Sequence, residues 1–196
     1  MSRWEPDARG RLQQAAIELY TERGFEQTTV AEIAERAGLT ERTFFRHFAD
    51  KREVLFDRSN ALLELFVEST ANAPADASPI EAVTAALLSA ADMFESRRPW
   101  STERQKVIVA NPSLQERELI KMAGLGIAVA ATLRSRGVAE PHASLAAEAG
   151  IAVFRVTFER WVADDNILPF AEIVTDSMAA LKVVVVDAAA TTRQNA

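Results

Sequence analysis

Between Thr40 and His47 the chain reads TERTFFRH. On a helix, Arg42 and Arg46 stand one turn apart on one face with Thr43 beside them, while Phe44 and Phe48 share another face that can pack inward. An arginine can pair bidentately with guanine in a major groove, and a threonine methyl can meet thymine. Thr28, Thr29 and Lys51 form a second group. Thr29 and Asp50 mark two helix starts, where free N–H groups and the positive dipole end could hold a phosphate. Other polar groups promise less chemistry. His47 has no cysteine or second histidine near it in sequence, so it reads as a phosphate or structural residue, and His142 beside Pro141 reads as surface. Asp164 and Asp165 are adjacent carboxylates at a helix end, where solvation is the ordinary state.

These residues need a scaffold, and its boundaries are written locally. Leu12, Ala15, Ala16, Leu19 and Tyr20 repeat on one helical face from Asp7 to Arg23, and Gly24 suits a C-cap. Thr29 with Glu32 three residues on is a capping-box pattern, followed by Val30, Ile33, Ala34 and Ala37 at helical spacing. After the Ala37-Gly38-Leu39 turn, Thr40 can cap the helix that carries Arg42 and Arg46. Two short helices joined by so tight a turn are a helix-turn-helix. Asp50-Lys51-Arg52-Glu53 repeats the capping logic and predicts a further helix with Val54, Leu55, Leu62, Leu65 and Phe66 as its apolar residues.

Composition narrows the class. The 196 residues are 48% hydrophobic and 26% charged, enough to build a core. There is no cysteine, which excludes disulfides and thiolate chemistry. Seven glycines and seven prolines are few for a turn-rich β protein, so an all-α fold is expected. No apolar run approaches a membrane span and the N-terminus has no signal-peptide core, so no membrane association and a cytoplasmic location are expected. The net charge of −6 conceals an asymmetry. Residues 36–58 hold six basic against four acidic groups, whereas residues 61–196 hold 12 against 17. Helical carboxylate-bridged enzymes need Glu-x-x-His pairs, which the sequence lacks. No catalytic residue, metal or cofactor is therefore expected.

Helical patterns continue beyond the Ala73–Pro79 loop. Ile80, Val83, Leu87, Ala90, Ala91 and Phe94 predict one amphipathic helix, punctuated by Pro99. A short helix to Ala110 follows, then helices over 112–136, 141–164 and 169–190 and a polar tail from Thr191. Val183–Val186 is expected as a buried turn of the last helix. Gly124 and Gly126 inside a helix suggest either close helix approach or room for a ligand. In the last two helices Ala147, Ile151, Phe154, Phe158 and Trp161 form one apolar seam, and Phe170, Val174, Met178, Leu181 and Val185 another. Ala149, Val153 and Val156 lie on a further side, and a helix apolar on two sides asks for a partner.

The segment RLQQAAIELYTERGFEQTTVAEIAERAGLTERTFFRHFADKREVLF resembles the N-terminal DNA-binding domain of the TetR/AcrR family of transcriptional regulators. The resemblance implies a three-helix DNA-binding domain over 1–56 and a helical ligand-binding and dimerisation domain over 57–196. It implies a repressor that binds a palindromic double-stranded DNA operator as a homodimer and answers to a small apolar or amphipathic effector. It implies phosphate contacts from Thr28, Thr29, His47 and Lys51, and base contacts from Arg42 and Thr43, with Phe45 and Arg46 on the same surface. Two positions depart from the family pattern. Phe45 stands where a phosphate-binding tyrosine is common, and Glu41 where a basic or small residue is common. For the effector, the resemblance points to Met93, Phe94, Trp100, Leu125, Phe154 and Phe158 as lining, with Arg97, Arg155 or Thr157 as polar anchors. For the dimer it points to a four-helix bundle through Ile151, Phe154, Phe158, Trp161, Val174, Met178, Leu181 and Val185.

Overall fold

The computed structural model describes residues 7–56 and 60–193, with side chains as far as Val186. The described residues form helices and turns, and no strand occurs among them. In chain order the helices are α1 (Ala8–Arg23), α2 (Val30–Arg36), α3 (Glu41–His47), α4 (Ala61–Ala71), α5 (Pro79–Ser89), α6 (Ala91–Glu95), α7 (Arg98–Val109), α8 (Pro112–Ser135), α9 (His142–Trp161) and α10 (Phe170–Arg193). They make two compact units. One combines the chain up to Ala61 with Pro99–Ile120; the other combines Leu62–Arg98 with the chain from Lys121 onward. A single cut after residue 56 therefore does not separate them, because α7 and the start of α8 belong with the N-terminal helices.

The first unit is built around Leu12, Leu19, Ile33, Phe44 and Phe48, joined by Val107, Ile108 and Leu114 from the later segment. Its local structure follows the caps. Thr29 Oγ1 accepts the N–H of Glu32 at 3.3 Å while Glu32 Oε2 accepts the N–H of Thr29 at 2.8 Å. Thr40 Oγ1 accepts the N–H of Thr43 at 3.2 Å. Gly38, at φ +66°, makes the left-handed turn between α2 and α3, a conformation that costs glycine little.

The segment after Asp50 differs from expectation. Residues 51–56 form turns, not the start of a helix, and α4 begins only at Ala61. Val54, Leu55 and Phe56 are all buried, and three successive residues cannot share one face of a helix. Three carbonyls of this stretch are taken by side chains from elsewhere in the unit. Tyr20 Oη donates to Lys51 O at 2.6 Å, Gln13 Nε2 to Val54 O at 3.4 Å, and Arg104 Nε to Leu55 O at 2.8 Å. Arg104 and Arg117 also lie over the Phe56 ring, and Arg117 Nε pairs with Glu53 at 2.6 Å.

The second unit is a bundle in which α9 packs on α5 and α10. Gly150 sits where α9 meets α5, and a β-carbon there would collide with Cγ1 of Val83. Gly126 on α8 lies against α9, where an added β-carbon would meet Ile151 Cγ1 at 3.4 Å; beside Gly124 there is open space. The expected helix through Ile80 and Phe94 is broken at Ala90, which ends α5 and starts α6. The last helix runs on to Arg193, past the expected end near Ala190, and residues 194–196 of the expected tail lie outside the described residues.

Candidate nucleic-acid interface and effector core

Helix α3 is held by one side and open on the other. Phe44 and Phe48 are fully buried with their rings 5.4 Å apart, each worth about 2–3 kcal/mol of burial. The opposite side exposes Glu41, Arg42, Phe45 and Arg46, with Thr43 half-buried beside them. Among the described residues no hydrogen bond or ion pair engages the side chains of Arg42 or Arg46. Other arginines of this unit are tied to carboxylates: Arg23 to Glu32, Arg36 to Glu22 and Glu18, and Arg52 to Asp50. Among the described residues of this unit, the two arginines with no such partner, Arg42 and Arg46, thus both lie on α3, although the chain as a whole is acidic.

Two of the expected phosphate contacts do other work. Thr28 is buried, and its hydroxyl donates to Gly24 O at 2.9 Å. Lys51 Nζ lies 2.8, 3.2 and 3.1 Å from the carbonyls of Phe25, Glu26 and Thr28, and 4.4 Å from the centre of the Phe25 ring. An ammonium has three N–H donors, and these three carbonyls use them all. Lys51 therefore clamps the turn between α1 and α2, and Thr28 pins the same turn. Thr29 remains exposed at the start of α2. His47 is half-buried, and burial, followed by the charges of Arg46 and Arg9, lowers its pKa, which favours the neutral ring at neutral pH. Asp50 accepts the N–H groups of Arg52 and Glu53 at 2.7 and 3.1 Å. Burial would raise its pKa, but these bonds and the Arg52 guanidinium outweigh it and the net shift is downward.

The second unit gathers aromatic rings. Phe94 lies 4.8 Å from Phe170, 5.6 Å from Phe154 and Phe158, and 5.8 Å from Trp161. Met93, Phe94, Phe158 and Arg97 are half-buried, and Leu125 and Phe154 are buried in this unit's core. Trp100 is not among them; it packs against the core of the first unit, because α7 belongs there. Two residues that spacing alone did not single out hold the corner between α9 and α10. Glu95 Oε1 accepts the indole N–H of Trp161 at 3.1 Å and the N–H of Phe170 at 2.5 Å. Arg98 Nη2 donates to the carbonyls of Trp161 and Asn166 at 3.0 and 2.6 Å. Their partners lie more than 60 residues away, beyond the reach of any local pattern.

The seams expected at a dimer interface face inward. Ile151, Phe154, Trp161, Val174 and Met178 are buried in the core of their own unit, with Phe158 and Leu181 packed against it. The seam residues fill the core of their own unit, and other apolar residues of the same helices stay on its surface. Leu145 and Val156 on α9 are 64% and 50% exposed. On α10 Val183–Val186 are 58–73% exposed, where a buried turn was expected and where Val185 alone was placed in the seam.

Both the N-terminal and the C-terminal segments have relatives among known proteins. Residues 12–57 match the family model described as bacterial regulatory proteins, tetR family, and residues 77–185 match the MftR C-terminal domain. The transcriptional regulator TcmR of Streptomyces glaucescens is 41% identical over 78 residues, 40% of this chain and 34% of TcmR, so that match spans about a third of the relative's length. A mycofactocin biosynthesis transcriptional regulator, MftR of Mycobacterium tuberculosis, is 26% identical over 161 residues, 80% of each chain. Among solved structures, the FadR repressor of Thermus thermophilus in complex with lauroyl-CoA shares the fold at a TM-score of 0.56 and 24% identity, over 88% of this chain and 92% of that one. A capped helix-turn-helix with an open arginine face, followed by a helical domain of the MftR type, places this chain in the TetR family of bacterial transcriptional regulators.

Proposed function

We propose that the protein is a repressor that binds an inverted-repeat DNA operator as a homodimer and leaves it when a small apolar or amphipathic effector enters the second unit. The observation that carries the DNA reading is α3, whose exposed Arg42 and Arg46 stand opposite the buried Phe44 and Phe48. Arg42 and Thr43 are assigned to base edges, and Thr29, Arg46 and His47 to the sugar–phosphate chain. Lys51 and Thr28 support the interface from behind. Its work on DNA puts the protein in the cytoplasm, and no described helix is long and apolar enough to cross a membrane.

For the homodimer, the supporting observation is the exposed apolar surface of Leu145, Val156 and Val183–Val186 on the last two helices. A second copy of the chain is the natural cover under twofold symmetry. Two α3 helices then enter major grooves one turn apart or a multiple of it, about 34–36 Å per turn. For the effector, the support is the aromatic group of Phe94, Phe154 and Phe158 in one core with Met93 and Leu125, and the half-buried Arg97 is assigned as its polar anchor. Mostly apolar linings with a few polar groups are usual for small-molecule sites.

Selection of bound duplexes from a random pool tests the DNA reading and yields the operator at once. An enriched inverted repeat is expected; enrichment of an unrepeated site would contradict the symmetric dimer. Light scattering of the free protein is expected to give about twice 21.5 kDa. Val156→Glu and Val183→Glu, both at exposed positions, are expected to give a folded monomer with weakened operator binding. A compound that raises the melting temperature is expected to weaken operator binding, as linkage requires. Stabilising compounds that leave DNA affinity unchanged would contradict the effector switch.

A further inference from the structure

Helix α3 presents two parallel stripes, each one helical turn long. Arg42 and Arg46 make the first; Glu41 and Phe45 make the second. The first suits phosphates and guanine. The second suits neither phosphate nor sugar oxygen. A carboxylate only accepts hydrogen bonds and is repelled by phosphate, and a phenyl ring offers no hydrogen-bonding group. Phe45 is nonetheless 52% exposed, a large apolar ring in the middle of the face that meets DNA. Its ring stands edge-on to the buried Phe44 at 5.5 Å and 81°, which steadies it. Base pairs show one apolar group in the major groove, the C5-methyl of thymine. The groups there that donate to a carboxylate are the amino groups of cytosine and adenine.

We propose that the Glu41–Phe45 stripe reads base edges, with the Phe45 ring seated on the C5-methyl of a thymine and Glu41, one turn earlier, accepting from a cytosine or adenine amino group. The assignment rests on the reading of α3 as the DNA-recognition helix and adds what one stripe of it recognises. Phe45 is then a determinant of specificity, where a tyrosine hydroxyl would instead reach toward phosphate.

The test uses the full chain and the duplex it selects from a random pool. Each thymine is replaced in turn by deoxyuridine, which removes only the methyl group. For the wild type, at least one replacement is expected to weaken binding about fourfold, the effect of exposing one buried methyl. Phe45→Ala is expected to bind the parent duplex more weakly and to lose the distinction between thymine and uracil at that position alone. Phe45→Gln serves as a second variant, and circular dichroism checks that both are folded, as an exposed position should allow. If Phe45→Ala remains as sensitive as the wild type at that position, the proposal is overturned. It is overturned equally if no thymine methyl matters to the wild type. A protein that enriches no duplex and shows no salt-dependent binding would defeat the DNA reading itself, a result visible before any uracil is introduced. Glu41→Gln, tested on duplexes varied one base pair at a time, is expected to relax preference at a neighbouring position.

Discussion

Lys51 carries the same charge whether it faces a phosphate or a row of carbonyls, and its neighbours decide which. With three carbonyls around Nζ, Lys51→Ala is expected to lower stability by about 2 kcal/mol, read from the urea midpoint. The salt dependence of DNA binding by the folded variant should stay as it was. An unchanged midpoint with a salt slope lower by about one unit would instead return Lys51 to the phosphate. Thr157 poses the opposite case. Thr84, Thr132 and Thr175 donate to the carbonyl four residues back at 2.6, 2.9 and 2.9 Å, whereas the buried hydroxyls of Thr157 and Thr70 meet no partner among the described residues. Thr157→Val should therefore raise stability by about 1 kcal/mol in a thermal melt, and a loss would mean that the hydroxyl is engaged. His47 adds a pH dependence. Its folded pKa lies below 6.5, so below 6.5 the unfolded chain binds more protons and stability falls as the pH drops. His47→Asn should reduce the difference in melting temperature between pH 5.5 and 7.5.

At the scale of elements, what the sequence reveals depends on how far apart the partners lie. Thr29 with Glu32, Thr40 with Thr43, and Phe44 with Phe48 sit within four residues of each other, so the caps and the buried face of the helix-turn-helix are legible in the residue order alone. The turns at 51–56 are not, because the groups that take the carbonyls of Lys51, Val54 and Leu55 come from Tyr20, Gln13 and Arg104. The two seams of α9 and α10 show the same limit. Periodicity identifies an apolar stripe, but whether it meets its own bundle or a second copy depends on α5, about 70 residues upstream. The glycines make this measurable. Gly150→Ala should destabilise by about 1–3 kcal/mol by overpacking against Val83, and Val83→Ala should relieve part of that loss in a double-mutant cycle. Gly124→Ala, with open space around the new methyl, should stabilise α8 by about 0.5–1 kcal/mol. A destabilised Gly124→Ala would instead point to a group that fills that space.

For the whole molecule, the division of the first core between two stretches of chain matters most. Val107, Ile108 and Leu114 complete the cluster around Leu12 and Phe44, and Arg104 and Arg117 close over Phe56. A fragment ending at residue 60 lacks all five. It is expected to keep helical circular dichroism yet to unfold at lower urea, with less cooperativity, than one carrying residues 99–120 joined by a flexible linker. Equal midpoints would show that the later segment adds nothing. The same division imposes an order in time. During synthesis α1 to α3 leave the ribosome first, but their core stays open until Leu114 and Arg117 follow. At about 5–20 residues per second, the stretch from Ala61 to Ile120 takes roughly 3–12 s to make. For that interval the nascent chain already exposes Arg42 and Arg46, on a half-built support whose apolar surface is open to chaperones.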